Sequence, residues 1–89
     1  MKLYKVKLLI NKRGNQGQVD IHAKDERLIL DNLETAESVY NEFLKVLEFN
    51  TKCMKKLSGY VAIYEPTIQE DGTITNMPLN GEYLKKYKC

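Results

Sequence analysis

The sequence predicts one α+β domain over residues 1–89, with one amphipathic helix packed on one face of an antiparallel β-sheet of three to five strands. Two observations indicate this fold class. Apolar residues recur at helical spacing between Asn32 and Phe49, whereas apolar and polar residues alternate in Leu3–Asn11 and again in Tyr60–Glu65. A helix of that length and an eight-residue strand both span about 26 Å, so they can pack side by side. The expected order is ββαβ(β).

The first strand is expected in Leu3–Asn11. Its alternation places four apolar side chains on one face, namely Tyr4, Val6, Leu8 and Ile10. Two glycines and an asparagine in Lys12–Gly17 are typical of a hairpin turn. The second strand is expected in Gln18–Ala23, with Val19, Ile21 and Ala23 facing inward. The chain therefore opens with an antiparallel hairpin.

The next two stretches connect the hairpin to the helix. Four consecutive charged residues in Lys24–Arg27 predict a turn. The apolar residues of Leu28–Leu30 predict either a short third strand or an extended lead into the helix.

The helix is expected over Leu33–Phe49, with Asn32 as its N-cap. Its apolar face would consist of Leu33, Ala36, Val39, Tyr40, Phe43, Leu44, Val46 and Leu47. We expect a break at Asn50-Thr51, followed by about one more helical turn between Lys52 and Leu57. The alternative is one longer helix, in which Met54 and Leu57 continue the apolar face and Gly59 is the left-handed residue that ends it.

After the helix, Tyr60–Glu65 predicts a strand that ends at Pro66. Thr73–Asn76 predicts a short returning strand, and Pro78 would confine it to a sheet edge. The lysine-rich segment Glu82–Cys89 fits a helical turn and a short strand equally well, so its structure stays open.

Composition places few limits on the partner. The formal net charge of +2 is too small to indicate nucleic acid or membrane by itself. No apolar run approaches the ~20 residues of a membrane span, and Met1-Lys2 leads directly into a strand pattern, so we expect a cytoplasmic protein without a targeting peptide. Lysine greatly outnumbers arginine and asparagine is frequent, which suggests AT-rich coding in a low-GC bacterium or its phage.

No combination of residues predicts catalysis, a metal site or a cofactor. His22 and Asp20 lie two apart on a strand and could form an acid–base pair, but no third group orients them, so two solvated side chains are the simpler interpretation. His22, Cys53 and Cys89 have no spacing known for metal ligands.

The most informative surface is the sheet face turned away from the helix. If Val6 and Val61 pack under the helix, the opposite face carries Lys5, Lys7, Leu9, Tyr60 and Tyr64. Such a face is too apolar to be left idle, so either it binds a partner or the C-terminal segment folds over it.

We therefore expect a small non-enzymatic binding protein that uses the exposed sheet face or a sheet edge. A protein partner is favoured because tyrosine is enriched in interface cores, and a homodimer is plausible. A phage or mobile-element accessory that inhibits a host factor fits the size and composition. The alternative is a nucleic-acid or nucleotide binder, because lysines beside exposed tyrosines can bind single strands through charge and stacking.

Overall fold

The computed structural model describes residues 2–53 and 56–89. Its elements are β1 (Leu3–Arg13), β2 (Val19–Leu30), α1 (Leu33–Cys53), β3 (Leu57–Tyr64), β4 (Pro66–Ile68), β5 (Ile74–Pro78), a 3₁₀ turn (Leu79–Gly81) and β6 (Lys85–Lys88). A four-stranded antiparallel sheet has the order β2-β1-β3-β6, and β4 and β5 form a separate two-stranded sheet. The predicted α+β architecture, with one helix on an antiparallel sheet, is confirmed. None of the described helices is both long enough and apolar enough to cross a membrane.

The core lies between α1 and the two central strands. In the β1–β3 register Val6 lies opposite Ile63 and Leu8 opposite Val61, so these side chains share the face that α1 covers. The buried apolar side chains of this layer are Tyr4, Val6, Leu8, Ile10, Ala36, Val39, Tyr40, Phe43, Leu47, Leu57, Val61 and Ile63. The alternation in β1 and the helical spacing in α1 therefore identified the core, although Leu33 and Val46 at the margins of the helix face remain exposed.

The second strand differs from the prediction. Lys24–Arg27 is not a turn, because β2 runs without interruption from Val19 to Leu30 and pairs with the whole of β1. The charged residues are accommodated because β2 is an edge strand, and Glu26 lies opposite Lys7. The turn prediction was wrong. Leu28–Leu30 is not a separate strand but the extended end of β2, which leads into α1.

A β-bulge at His22 explains a second difference. Ile10 pairs with Ala23, whereas Asn11 pairs with Ile21, so His22 is the extra residue. Ala23 still packs against the core, but the bulge reverses the alternation, and Ile21 and Val19 are 65% and 62% exposed instead of facing inward.

The helix begins as predicted and ends later. The Asn32 side-chain oxygen accepts a hydrogen bond from the Thr35 amide at 2.9 Å, which confirms the N-cap. The predicted break at Asn50-Thr51 was wrong, because Asn50 Nδ2 and Thr51 Oγ1 donate to the carbonyls four residues earlier and α1 continues to Cys53. Leu57 belongs to β3, and the predicted role of Met54 lies outside the described residues.

The C-terminal third of the chain contributes to both sheets. Pro66 begins β4, which pairs with β5 instead of extending the main sheet. The segment left open by the sequence contains β6, which pairs with β3 and forms the edge opposite β2. Gly59 lets β3 approach β1 closely, because a Cβ atom there would collide with the carbonyl oxygen of Leu9.

Candidate functional site

The face of the main sheet turned away from α1, hereafter the outer face, receives side chains from all four strands. The strand registers place on it Lys24, Glu26 and Leu28 from β2, Lys5, Lys7 and Leu9 from β1, Tyr60, Ala62 and Tyr64 from β3, and Lys86 and Lys88 from β6. All five residues predicted for this face therefore lie on it. The solvent exposure of these side chains divides the outer face into a covered half and an open half.

Lys5 and Tyr64 lie in the covered half, and the expectation that they are exposed was wrong. Lys5 is only 6% exposed and Tyr64 only 2%. The Lys5 ammonium donates to the side-chain oxygen of Asn76 in β5, and the Tyr64 hydroxyl donates to the Asn76 carbonyl at 3.3 Å. The ring of Tyr83 packs edge-to-face on Tyr64 at 5.4 Å between centroids. The C-terminal third therefore covers this half.

A cluster of charges borders the covered half. The Glu26 carboxylate lies 3.4 Å from the Lys5 ammonium and 3.7 Å from those of Lys7 and Lys24. Burial raises the pKa of Glu26, but the charges of Lys5, Lys24 and Lys7 outweigh it, and the pKa lies below its ordinary value. Only one carboxylate lies among three ammonium groups here, so the outer face keeps a net positive charge.

Lys7, Leu9 and Tyr60 lie in the open half, where each is partly exposed. The ammonium groups of Lys7 and Lys86 lie 5.9 Å and 5.1 Å from the centroid of the Tyr60 ring, within cation–π range. Lys88 lies opposite Tyr60 in the β3–β6 register. The open half is therefore an aromatic side chain bordered by lysines, and the binding role predicted for Lys7, Leu9 and Tyr60 stays a prediction.

Next to the outer face lies the free edge of β2, a 12-residue strand at the end of the sheet order within the described part of the chain. The Asp31 amide donates to the Lys2 carbonyl at 2.7 Å, so that pair is a hydrogen-bonded one. Hydrogen-bonded and non-hydrogen-bonded pairs alternate in an antiparallel ladder. The backbone N–H and C=O groups of Lys24, Glu26 and Leu28 therefore point away from β1, toward the free edge.

Sequence reasoning mentioned a sheet edge but did not locate it on β2, because the predicted turn divided this strand into two short pieces. No local signal located it, because Glu26 lies within the four consecutive charged residues Lys24–Arg27, where no apolar–polar alternation indicates a strand.

The residues considered for catalysis lie apart from the outer face. Asp20 and His22 are both exposed, and the bulge at His22 removes the regular two-residue spacing that would place them on one face. Across residues 2–53 and 56–89 there is no group of three His, Cys, Asp or Glu side chains that could hold a metal ion. Cys89 is a free, exposed thiol.

Comparison with known proteins finds no relative: no protein-family model, no curated protein and no solved structure matches this chain.

Proposed function

We propose that this chain is a non-enzymatic protein-binding module that accepts a β-strand of its partner at the free edge of β2. The observation that supports this most directly is the edge itself: a strand of 12 residues whose backbone groups at Lys24, Glu26 and Leu28 have no partner strand in the described structure. A partner strand gains main-chain hydrogen bonds at such an edge, and alternate side chains provide specificity.

The side chains of β2 support the same conclusion. Four large apolar residues along this strand are substantially exposed, namely Val19, Ile21, Leu28 and Leu30. Natural proteins protect sheet edges by shortening them, by adding charged side chains, especially lysine, and by bulges. β6 contains four residues and three of them are lysines, whereas β2 has one lysine in twelve residues, and its bulge at His22 leaves residues 23–30 in regular register. The two edges therefore differ in their capacity to bind a strand.

This mode of binding suits an inhibitor as well as an adaptor. Strand addition needs no catalytic group, and it can block a partner whose own strand edge or extended segment is functional. A phage or mobile-element accessory that acts on a host factor is therefore consistent with the proposal.

A proline substitution tests the proposal. Because the Leu28 N–H points to the free edge, Leu28→Pro removes a donor for the partner strand without removing a hydrogen bond to β1. Leu28→Ser is the matched control, since it removes the same exposed side chain and keeps the N–H. We expect tagged wild type and tagged Leu28→Ser to capture the same partner, whether an untagged copy of this chain or a host protein from a lysate, and Leu28→Pro to lose it, with circular dichroism confirming that both variants fold. Equal capture by all three would refute strand addition.

Single-stranded nucleic acid is the second candidate function. The ring of Tyr60 with Lys7 and Lys86 around it favours this alternative. It ranks second because a base stacked on that ring would take the position now occupied by an ammonium group.

Fluorescence anisotropy with a labelled oligonucleotide tests this alternative. Binding should weaken steeply with salt and should be lost in Tyr60→Leu, which removes the aromatic ring. Affinity that is insensitive to both changes would remove this alternative.

A further inference from the structure

We infer that the partner strand is β2 of a second copy of this chain, in a two-fold dimer where Asp25 lies opposite Arg27 of the second copy. This inference rests on the proposed function, because it uses the same free edge of β2. It adds the identity of the partner and the register of the two strands.

Symmetry restricts the possible registers. A two-fold axis that makes two copies of β2 antiparallel is normal to the sheet, so both helices lie on the same side of one continuous sheet. Directly opposite residues then share a face, as in any antiparallel pair. Within the charged centre of the strand, the axis can pass through any of four residues, namely Lys24, Asp25, Glu26 and Arg27.

Charge distinguishes these registers, each of which places the axial residue directly opposite its own copy. An axis through Lys24 or Arg27 adds no pair of opposite charges to that like-charged pair. An axis through Asp25 places Lys24 of each copy opposite Glu26 of the other, and an axis through Glu26 places Asp25 of each copy opposite Arg27 of the other. Like charges directly opposite are destabilising unless counter-charges lie nearby. The Asp25 carboxylate has Arg27 of its own chain at 3.9 Å, whereas the Glu26 carboxylate has three lysine ammonium groups within 3.7 Å, so the axis through Glu26 is favoured.

The alternation along β2 between residues whose backbone groups point toward β1 and residues whose backbone groups point away from it agrees with this register. The outward-pointing groups of Glu26 meet those of Glu26 in the second copy, and Lys24 pairs with Leu28 in the same way. Asp25 and Arg27 then form non-hydrogen-bonded pairs, where the side chains approach most closely.

The remaining pairs in this register are compatible. Ala23 lies opposite Ile29 of the second copy, and both residues already pack against the core. The two Glu26 carboxylates face each other, but each is within 3.7 Å of three lysine ammonium groups of its own chain, so their mutual repulsion is offset. The register therefore joins the two apolar cores and leaves no opposed carboxylates without counter-charges.

Charge reversal tests both the partner and the register. We would measure the dissociation constant by sedimentation equilibrium from about 1 µM to about 1 mM. Asp25→Arg and Arg27→Asp should each weaken association about tenfold or more, because each changes two symmetry-related pairs from attraction to repulsion. The double variant D25R/R27D should recover most of the affinity. Asp20→Arg, the same charge change on β2 but outside the overlap, is the matched control.

The fold is monitored separately by thermal unfolding at low protein concentration. Arg27 also lies over the Phe43 ring at 5.7 Å, so Arg27→Asp should lower the stability of the monomer. The double variant should keep that loss of stability and still recover association, which separates the interface from the fold.

Two outcomes would overturn the inference: a monomer at every concentration, or a dimer that the single reversals leave unchanged. The proposed function has a separate outcome. Suppose that the chain is monomeric and that wild type captures a lysate protein that Leu28→Pro does not capture. In that case only the identity of the partner is wrong. If the chain is monomeric and Leu28→Pro captures as well as wild type does, both proposals fail.

Discussion

Replacing Glu26 with glutamine should destabilise the fold, because it leaves the buried Lys5 ammonium without its counter-charge. The Lys5 side chain is 7% exposed and its ammonium lies 3.4 Å from the Glu26 carboxylate. Removing one partner of a buried ion pair costs about 3–5 kcal/mol. The cost here should be smaller, since the Glu26 side chain is 28% exposed and Asn76 still accepts a hydrogen bond from Lys5. We expect a loss of about 2 kcal/mol in the free energy of unfolding, or a decrease of roughly 8–16 °C in Tm.

Urea and thermal unfolding at pH 7, followed by circular dichroism, measure this loss. Glu48→Gln is the control, since it makes the same chemical change on the exposed side of α1 and should alter the free energy by less than about 0.5 kcal/mol. Combining Glu26→Gln with Lys5→Met removes both charges and should recover much of the loss. If Glu26→Gln costs no more than Glu48→Gln, the charge cluster does not stabilise the fold.

The stability difference between wild type and Glu26→Gln should also depend on pH. Because the pKa of Glu26 is lowered in the folded state, its contribution is fully present above the ordinary value of 4.5 and is lost as the pH falls through the folded pKa. The stability difference between wild type and Glu26→Gln should therefore be constant near neutral pH and shrink in acid. A difference that grows in acid would contradict the sign of this shift.

Three further predictions concern single residues. Gly59→Ala should cost more than about 3 kcal/mol, because the added methyl group meets the backbone of Leu9 and Ile10; Ser58→Ala, at an exposed neighbour, is the control in urea unfolding. Asn32→Ala should cost about 1 kcal/mol through loss of the helix cap, and an unchanged urea midpoint would show that the cap contributes nothing. Burial raises the pKa of Tyr64 to about 12 and also raises the pKa of Tyr40, so ultraviolet titration should show late-titrating tyrosines, and Tyr64→Phe should remove the one near 12. Its contribution to stability is present below pH 10 and is lost as the pH rises through about 12, so alkaline unfolding should begin later in Tyr64→Phe.

The first strand and most of the helix could be predicted from the sequence because local periodicity determines them. The alternation of Tyr4, Val6, Leu8 and Ile10 identified one buried face, and the spacing of Ala36, Tyr40, Phe43 and Leu47 identified the other. These patterns depend only on which side of an element faces the core.

The course of β2 could not be predicted, because it depends on residues far away in the chain. Four consecutive charged residues resemble a turn until Lys5 and Lys7 are known to lie beside Glu26. The bulge at His22 likewise has no local marker, and it reverses the orientation of Ile21.

The candidate site likewise has one part that the sequence predicts and one part that it does not. Lys7, Leu9 and Tyr60 lie on the outer face in partly exposed positions, because strand alternation alone determines that placement. Lys5 and Tyr64 follow the same alternation, but their burial depends on Asn76, which lies 71 residues from Lys5 in the chain. No local pattern could show that β5 would cover them.

The unequal margins of the sheet limit how far any assembly can grow. One margin is the 12-residue strand β2, which has no partner strand on one side within the described part of the chain, whereas the other is a four-residue strand with three lysines, which should repel a second copy of itself. Once two molecules pair through their β2 strands, only the lysine-rich β6 strands remain as exposed margins of the sheet. Such a pair should remain a discrete particle at high concentration, where a sheet with two receptive margins would continue into filaments.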